Sequence, residues 1–536
     1  MKAATRPELE SEPENPPPHE LDRDFCYRAL RTRDARFDGR FYTAVTSTGI
    51  YCRPICPART PKLENCLFLP SAAAAQSLGF RSCLRCRPEA APGAAVARGS
   101  VNTVTRALQL IAQGDLTPGT LEAFAERLGV GSRQLRKLFD RYVGAAPIAV
   151  AQTQRLLFAK QLLTETALPM TQVAAAAGFG SVRRFNAVFQ ETYARSPSQL
   201  RALHASRTAA EPVVEIKLPF TPPYDFAAML EFLGPRAIPG VECVVAGEYL
   251  RAFSIGAAQG TLAVRQAPDK PQLIARIHCT NIAVLRPVIA RLRRLFDLDA
   301  DSHTIDAQLA RDPALAGRVL ARPGLRVPGA WDSFELAVRA ILGQQVSVAA
   351  AKTFAARIVD KYGTALPKSA RLPTASAPVR LFPSPSTLAE ADFQGIGLTR
   401  ARSSALQGLA RAIADDDTRL QPAASLSASL ERLIELPGIG EWTAHYIAMR
   451  ALSEPDAFPA ADLGLARALA PRDQPEQRPD VRAIAARAEA YRPFRAYAVL
   501  RLWLQPEDTH TAAPTQHIRR QRRQPRTVAT RTSLPM

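Results

Sequence analysis

The sequence predicts a multidomain chain, mainly α with α+β parts. The parts are a small α/β domain on four cysteines, a two-unit helix-turn-helix domain, an α+β unit and an all-α helix-hairpin-helix domain. Three observations predict this. Two short-spaced cysteine pairs, Cys52-Arg-Pro-Ile-Cys56 and Cys83-Leu-Arg-Cys86, are separated by 26 residues. A pattern of helix, glycine turn and basic helix occurs twice between residues 121 and 190. In the C-terminal half, Leu436-Pro437-Gly438-Ile439-Gly440 breaks an apolar-periodic helical stretch, and Asp462 follows 22 residues after Gly440.

A chain of 536 residues has length for about three to four domains, and 47% apolar residues are enough for folded cores. The apolar runs are too short or too interrupted to span a bilayer, and no basic leader precedes an apolar stretch. The expectation is a cytoplasmic protein with no membrane partner. A net charge of +20 and a pI near 10.1 call for a polyanionic partner, without separating DNA from RNA or an anionic surface. All eight cysteines lie before residue 280. In a cytosolic chain that usage points to metal binding rather than disulfides. With none after Cys279, the C-terminal half is expected to carry no iron–sulfur cluster.

Residues 1–20, rich in Glu and Pro, are expected to be disordered, with a first domain over 21–95. From Phe25 the chain is aromatic and β-rich. Cys52, Cys56, Cys83 and Cys86 suit one tetrahedral Zn²⁺, and a purely structural zinc site is one reading of them. The surrounding words are Thr48-Gly-Ile-Tyr-Cys52-Arg-Pro-Ile-Cys56, Glu64-Asn65 and Gly79-Phe-Arg-Ser-Cys83-Leu-Arg-Cys86-Arg-Pro88. Over residues 24–90 they resemble the N-terminal domain of the adaptive-response Ada family. The resemblance implies that Cys52 is both ligand and nucleophile, taking a methyl group from methylphosphotriesters in DNA. Zinc would keep all four sulfurs as thiolates, and methylation of one removes a negative charge beside DNA. Cys26 and Cys66 read as buried small hydrophobes.

Residues 100–206 carry the repeated pattern. Leu121 to Leu128, Gly129-Val130-Gly131 and a basic helix from Ser132 form one unit; Met170 to Ala177, Gly178-Phe179-Gly180 and a helix from Ser181 form the other. The second ends in Tyr193-Ala-Arg-Ser196-Pro197-Ser-Gln-Leu-Arg201. The pair resembles the AraC-type DNA-binding domain, with recognition helices at about 132–140 and 181–190. Arg133, Arg136, Lys137, Arg183 and Arg184 would then face promoter DNA, and a regulator of this type implies RNA polymerase as a further partner. The Pro-Cys-His-Arg word of methylguanine acceptors is absent, so direct repair of O6-methylguanine is not expected.

Strand-like patterning over Val213–Leu218, Val241–Ile255, Gly260–Val264 and Gln272–Cys279, then a basic helix over 283–296, gives the α+β unit, placed at 211–300. The all-α domain is placed at 301–507 and a basic, disordered tail at 508–536; the tract Pro367–Pro385 reads as a surface loop. In the hairpin, Gly438 and Gly440 flank Ile439, which would plug the helix junction while free N–H groups bind a DNA phosphate.

The words Pro222-Pro-Tyr-Asp-Phe226, Gly240-Val-Glu-Cys-Val244, Arg294-Leu-Phe-Asp-Leu-Asp-Ala-Asp301, the LPGIG turn and Asp462 resemble the 3-methyladenine DNA glycosylase II (AlkA) family of helix-hairpin-helix glycosylases. The resemblance implies that Asp462 is the catalytic carboxylate, that Trp442, Tyr446 and Trp503 line the base pocket, and that Gln345 sits at the base-flipping wedge. Glutamine is a softer wedge than the leucine the family also uses. Where bifunctional relatives carry a Schiff-base lysine, this chain has Trp442, so a monofunctional enzyme acting on duplex DNA with alkylated bases is implied. Tyr491 and Phe494 stand where the family often has tryptophan. A methyl-sensing regulator with an inactive C-terminal half is the alternative.

Overall fold

The computed structural model describes residues 21–91, 101–202 and 213–504, except 118, 424, 472, 473 and 475. The segments expected to be disordered, 1–20 and 508–536, lie outside the described residues. No helix among these residues is long and apolar enough to cross a membrane.

The N-terminal unit is a four-stranded sheet of β1 (Tyr42–Val45), β2 (Ile50–Cys52), β3 (Cys66–Leu69) and β4 (Arg81–Ser82), in the order β3-β1-β2-β4. β1 is antiparallel to both β2 and β3, whereas β2 and β4 run parallel. Pairing of Tyr51 with Ser82 sets the next residues, Cys52 and Cys83, side by side where the strands end. Register alone therefore brings the two cysteine pairs together. The helix Ala72–Ser77 packs on this sheet through four buried alanines, small enough for close approach.

The helix-turn-helix units are Leu121–Arg127 with Ser132–Val143, and Met170–Ala176 with Val182–Tyr193. Gly129 (φ +72°) and Gly178 (φ +78°) make the left-handed turns between them. Both basic helices repeat one burial pattern, with Leu135 and Phe139 fully buried in one and Phe185 and Phe189 in the other. The 19-residue helix Pro147–Glu165 joins the units. It buries Lys160, whose ammonium donates to Ser82 Oγ (3.2 Å), Cys83 O (3.0 Å) and Glu89 Oε2 (2.7 Å). Three donors meet three acceptors, so this buried charge is fully satisfied and ties the cysteine domain to its neighbour.

The next unit is an antiparallel sheet of β5 (Val214–Pro219), β6 (Glu242–Val245), β7 (Glu248–Ile255), β8 (Ala258–Gln266) and β9 (Gln272–Cys279), ordered β5-β9-β8-β7-β6. The stretch Val241–Ile255, read as one strand, is instead a hairpin. Ala246 (φ +50°) and Gly247 (φ +76°) form a two-residue turn whose twist suits antiparallel strands. The Pro367–Pro385 tract is also more than a surface loop. Ala370 and Leu372 are buried against this sheet, where Thr261 Oγ1 donates to Ala370 O (3.2 Å) and accepts from Leu372 N (2.6 Å). Alternate small and apolar residues in that tract cover one face of β8, which its Pro-rich composition hides.

The C-terminal unit is helical around a large core that includes Ile341, Leu433, Leu436, Ile439, Ala444 and Ile447. The sheet unit joins it through buried Arg251, which bridges Glu242 of β6 and Glu335 of the helix Ser333–Leu342.

Candidate functional site

The hairpin pairs the helix Leu426–Ile434 with Glu441–Arg450 through the turn Leu436–Gly440. Only one of the two glycines takes a positive φ: Gly438 is at +78°, whereas Gly440 is extended at φ −91°, ψ 176°. The fold requires glycine at the first position and leaves the second unconstrained. A Cβ on Gly438 would lie 2.5 Å from Ala405 Cβ, while one on Gly440 would meet nothing within 4 Å. Gly440 thus leaves the backbone open to a close neighbour at the N-terminus of a ten-residue helix, where first-turn N–H groups lack intrahelical partners. Ile439 is 5% exposed and fills the junction. Gly438→Ala should cost about 1–3 kcal/mol of stability, from positive φ and overlap together, and weaken duplex binding. Thermal unfolding and a filter-binding titration would check this; a variant as stable as the parent would refute the steric argument.

Asp462 caps the helix Leu463–Ala468 and is bound on both oxygens. Oδ1 accepts from Leu465 N (3.0 Å) and Trp503 Nε1 (2.9 Å), and Oδ2 accepts from Trp442 Nε1 (2.9 Å). The carboxylate is therefore both helix cap and the hub of two indoles from separate helices. Gly464 makes room for it, since a Cβ there would lie 2.8 Å from Asp462 Oδ1 and 3.1 Å from Trp503 Cδ1. Trp442 and Tyr446, four residues apart on one helical face, stack with centroids 5.3 Å apart and planes 9° apart. Trp503 tilts towards Tyr446 at 6.4 Å. All four side chains are half-buried, so the cluster opens to solvent on one side.

Gln345 lies on the loop between the helices Ser333–Leu342 and Val348–Tyr362, exposed and at φ +56°. For a residue with a Cβ this is a strained backbone, held by its surroundings. Sequence reasoning missed what holds it. The neighbouring Gln344 donates to Gly438 O (2.8 Å) and Thr443 Oγ1 (3.1 Å), and Arg402 donates to Gln344 O (2.6 Å). Arg450 was missed as well. It donates to Tyr446 Oη (2.7 Å) and to the carbonyls of Pro328 and Gly329. Burial pushes the Tyr446 phenol up, but Arg450 and then Arg236 outweigh it and hold the phenol below its ordinary value. The four-residue spacing from Tyr446 to Arg450 was the available signal.

The second site is the cysteine cluster. The sulfurs of Cys52, Cys56, Cys83 and Cys86 all lie within 4.8 Å of one another, against about 3.8 Å between sulfurs of an ideal tetrahedral zinc site. Four soft donors and no carboxylate fit zinc. The cluster is shaped by backbone donors, with Arg53 N on Cys86 Sγ (3.4 Å) and Arg85 N on Cys83 Sγ (3.3 Å). Buried Arg53 pairs with Asp38 and donates to Cys86 O (3.1 Å). Cys56, Cys83 and Cys86 are buried; Cys52 is half-buried, the most accessible of the four. Cys26 and Cys66 lie apart from the cluster and are buried; burial pushes the Cys26 thiol to about 11 and also raises that of Cys66.

Arg133, Arg136, Lys137, Arg183 and Arg184 are all exposed on the two basic helices, opposite the buried Leu135–Phe139 and Phe185–Phe189 faces.

Four family models match in order: the metal binding domain of Ada (25–89), a helix-turn-helix domain (124–203), the AlkA N-terminal domain (215–332) and the HhH-GPD superfamily of base excision DNA repair proteins (338–493). The "Probable bifunctional transcriptional activator/DNA repair enzyme AlkA" of Mycobacterium tuberculosis is 41% identical over 486 residues, 90% of this chain and 96% of that protein. DNA-3-methyladenine glycosylase 2 of Escherichia coli is 37% identical over 295 residues, 53% of this chain and 95% of the relative. The bifunctional transcriptional activator/DNA repair enzyme Ada of Escherichia coli is 33% identical over 181 residues, 34% of this chain and 49% of the relative. With a metal binding domain of Ada, a helix-turn-helix domain and an AlkA-type base excision domain in one polypeptide, the chain belongs to the family of the bifunctional transcriptional activator/DNA repair enzyme AlkA.

Proposed function

We propose that this protein senses and repairs alkylated DNA. Its C-terminal half is a monofunctional glycosylase that releases alkylated purines such as 3-methyladenine from duplex DNA. Its N-terminal half takes methyl groups from methylphosphotriesters onto Cys52 and binds promoter DNA. The observation that carries the reading is the carboxylate of Asp462 fixed between two indole N–H groups beside a stacked Trp442–Tyr446 pair.

Breaking the C1′–N bond of a nucleotide puts positive charge on the deoxyribose, and a carboxylate held next to it stabilises that charge. Two indoles and a cap N–H leave Asp462 little freedom to turn away. An alkylated purine already carries positive charge, so it leaves as a neutral base without a strong general acid. The water oxygen takes its place on C1′ and gives up a proton. What the pocket must supply is aromatic faces for a flipped cationic base, which Trp442, Tyr446 and Trp503 provide. The position of a Schiff-base lysine holds Trp442, so hydrolysis, with no strand cleavage, is the reaction. Gln345 would fill the space the base leaves.

Cys52, Cys56, Cys83 and Cys86 would hold one zinc, which when bound keeps the four sulfurs deprotonated at neutral pH. The Cys52 sulfur attacks the methyl carbon; the S–C bond forms, the C–O bond breaks, and the DNA phosphodiester leaves as an anion. The resulting thioether is neutral, so the protein surface loses one negative charge and gains affinity for DNA. Arg133, Arg136, Lys137, Arg183 and Arg184 are supported as the DNA-facing side chains by their exposure on the two recognition helices. Recruitment of RNA polymerase at the promoter would complete the response.

DNA carrying radiolabelled methyl groups, incubated with the pure protein and separated into free bases and protein, tests both halves. Label in methylpurines and on Cys52 is the expected result. Labelled protein with no free base would leave a methyl-sensing regulator, and free base with no labelled protein a glycosylase with a structural zinc domain.

A further inference from the structure

The helix Val101–Gln113 opens the helix-turn-helix unit, yet its Arg106 is buried in the glycosylase half. Arg106 Nη2 pairs with Glu454 Oε1, and the two residues are 6% and 5% exposed. Glu454 lies on the loop of residues 451–461, which leads from the helix bearing Trp442 and Tyr446 to Asp462.

This loop is held on all sides. Glu454 N donates to Ala448 O (3.0 Å), and Phe458 N donates to His445 Nδ1 (3.1 Å), both on the helix Glu441–Arg450. On the helix that bears Trp503, Ala496 N donates to Pro455 O (2.9 Å) and Arg495 Nε to Asp456 Oδ1 (2.7 Å). Those anchors belong to the glycosylase half itself; Arg106 comes from the DNA-binding unit. The helix it stands on is seated at its far end by Arg286, which donates to the carbonyls of Ile111 and Ala112. Arg432, on the first hairpin helix, is close enough for the two guanidinium groups to repel.

Arg106 is the one cation paired with Glu454 among the described residues; a buried carboxylate that loses such a partner must take up a proton or move towards water, and either change loosens the contact that holds its loop. Seven residues separate Glu454 from Asp462, whose place between two indoles tolerates little displacement. We propose that Arg106 of the helix-turn-helix unit is a positioning residue for base excision, holding the Asp462 loop in its working place through Glu454. The inference rests on Asp462 as the excising carboxylate. It makes the DNA-binding unit part of the glycosylase, so that excision responds to how that helix is seated.

The test uses the full chain, with single-turnover release of 3-methyladenine from methylated duplex. Arg106→Gln and Glu454→Gln should each slow release about tenfold or more, because small misplacements of a reacting group carry costs of that order. Half-saturation and affinity for undamaged duplex should stay within about twofold of the parent. The exchanged pair, Arg106→Glu with Glu454→Arg, should regain most of the rate. Should a single variant lose its cooperative unfolding transition, Arg106→Lys takes its place and is expected to be slowed but folded. Folded single variants that release base at the parental rate, or a folded exchanged pair no faster than the singles, would overturn the proposal. Asp462→Asn is run alongside. A parent that releases no base overturns the glycosylase reading itself; an active parent, an inactive Asp462→Asn and a fully active Arg106→Gln overturn only the role of Arg106.

Discussion

Asp462→Asn should lower single-turnover release of 3-methyladenine by about 10²–10³-fold, the scale seen when one electrostatic stabiliser of a transition state is removed. Affinity for undamaged duplex should not change, since the hairpin turn and its glycines are untouched. The substitution is close to isosteric, and asparagine is as good a helix cap as aspartate, so the helix Leu463–Ala468 keeps its N-terminal anchor. Two things change at once. The negative charge proposed to face the deoxyribose disappears, and the new amide N–H₂ must point at one of the two indole N–H groups from which Asp462 now accepts. One indole is left without its acceptor. Trp442→Phe separates the two effects: it removes a single donor but leaves the charge and a ring. Its rate should fall by about ten- to a hundredfold, the worth of one hydrogen bond to a charged group. If Asp462→Asn loses no more than Trp442→Phe, the charge is not what drives base release.

The parts of this chain that were legible in its sequence are those whose chemistry is local. Each cysteine pair, the LPGIG turn and the two glycine-hinged basic helices carry their geometry within a few residues. Their placement in the structure follows from strand register, a positive φ or a 3.6-residue period. Trp442, Tyr446 and Trp503 were named by the family resemblance, and the one-turn spacing of the first two accounts for the stack they form. The misread segments failed for local reasons as well: Ala246-Gly247 is a hairpin turn inside an apolar run, and Pro367–Pro385 hides two core residues behind loop-like composition. What no local pattern reveals is the pairing of distant buried charges. Arg106 with Glu454, Lys160 with Ser82, Cys83 and Glu89, and Arg251 between Glu242 and Glu335 join separate units. An isolated arginine or lysine in a basic protein reads as surface charge, and only the fold reveals which ones are removed from water. Gln344 is the intermediate case, adjacent to a residue singled out by resemblance but working through a turn 94 residues away.

Cys52→Ala should abolish methyl uptake by the protein and leave base release unchanged. Cys52 is half-buried whereas Cys56, Cys83 and Cys86 are buried, which makes it the residue of the four best placed to meet a DNA phosphotriester. The Cys52→Ala protein still presents three sulfurs, so metal analysis must accompany the assay. A variant that retains metal and takes up no methyl locates the nucleophile, whereas Cys86→Ala would lose uptake by losing one of the four sulfurs, together with the bond that Arg53 N makes to it. Mass analysis of the labelled parent should place one methyl on the peptide containing Cys52. The methylated parent should bind its promoter more tightly than the unmodified protein, and that gain should shrink as salt is added, because it comes from one unit of charge near phosphates. A gain that is indifferent to salt would mean that methylation acts through a change of shape. The buried Lys160, which stands on the joining helix and donates to Cys83 O, would then be the place to look for it.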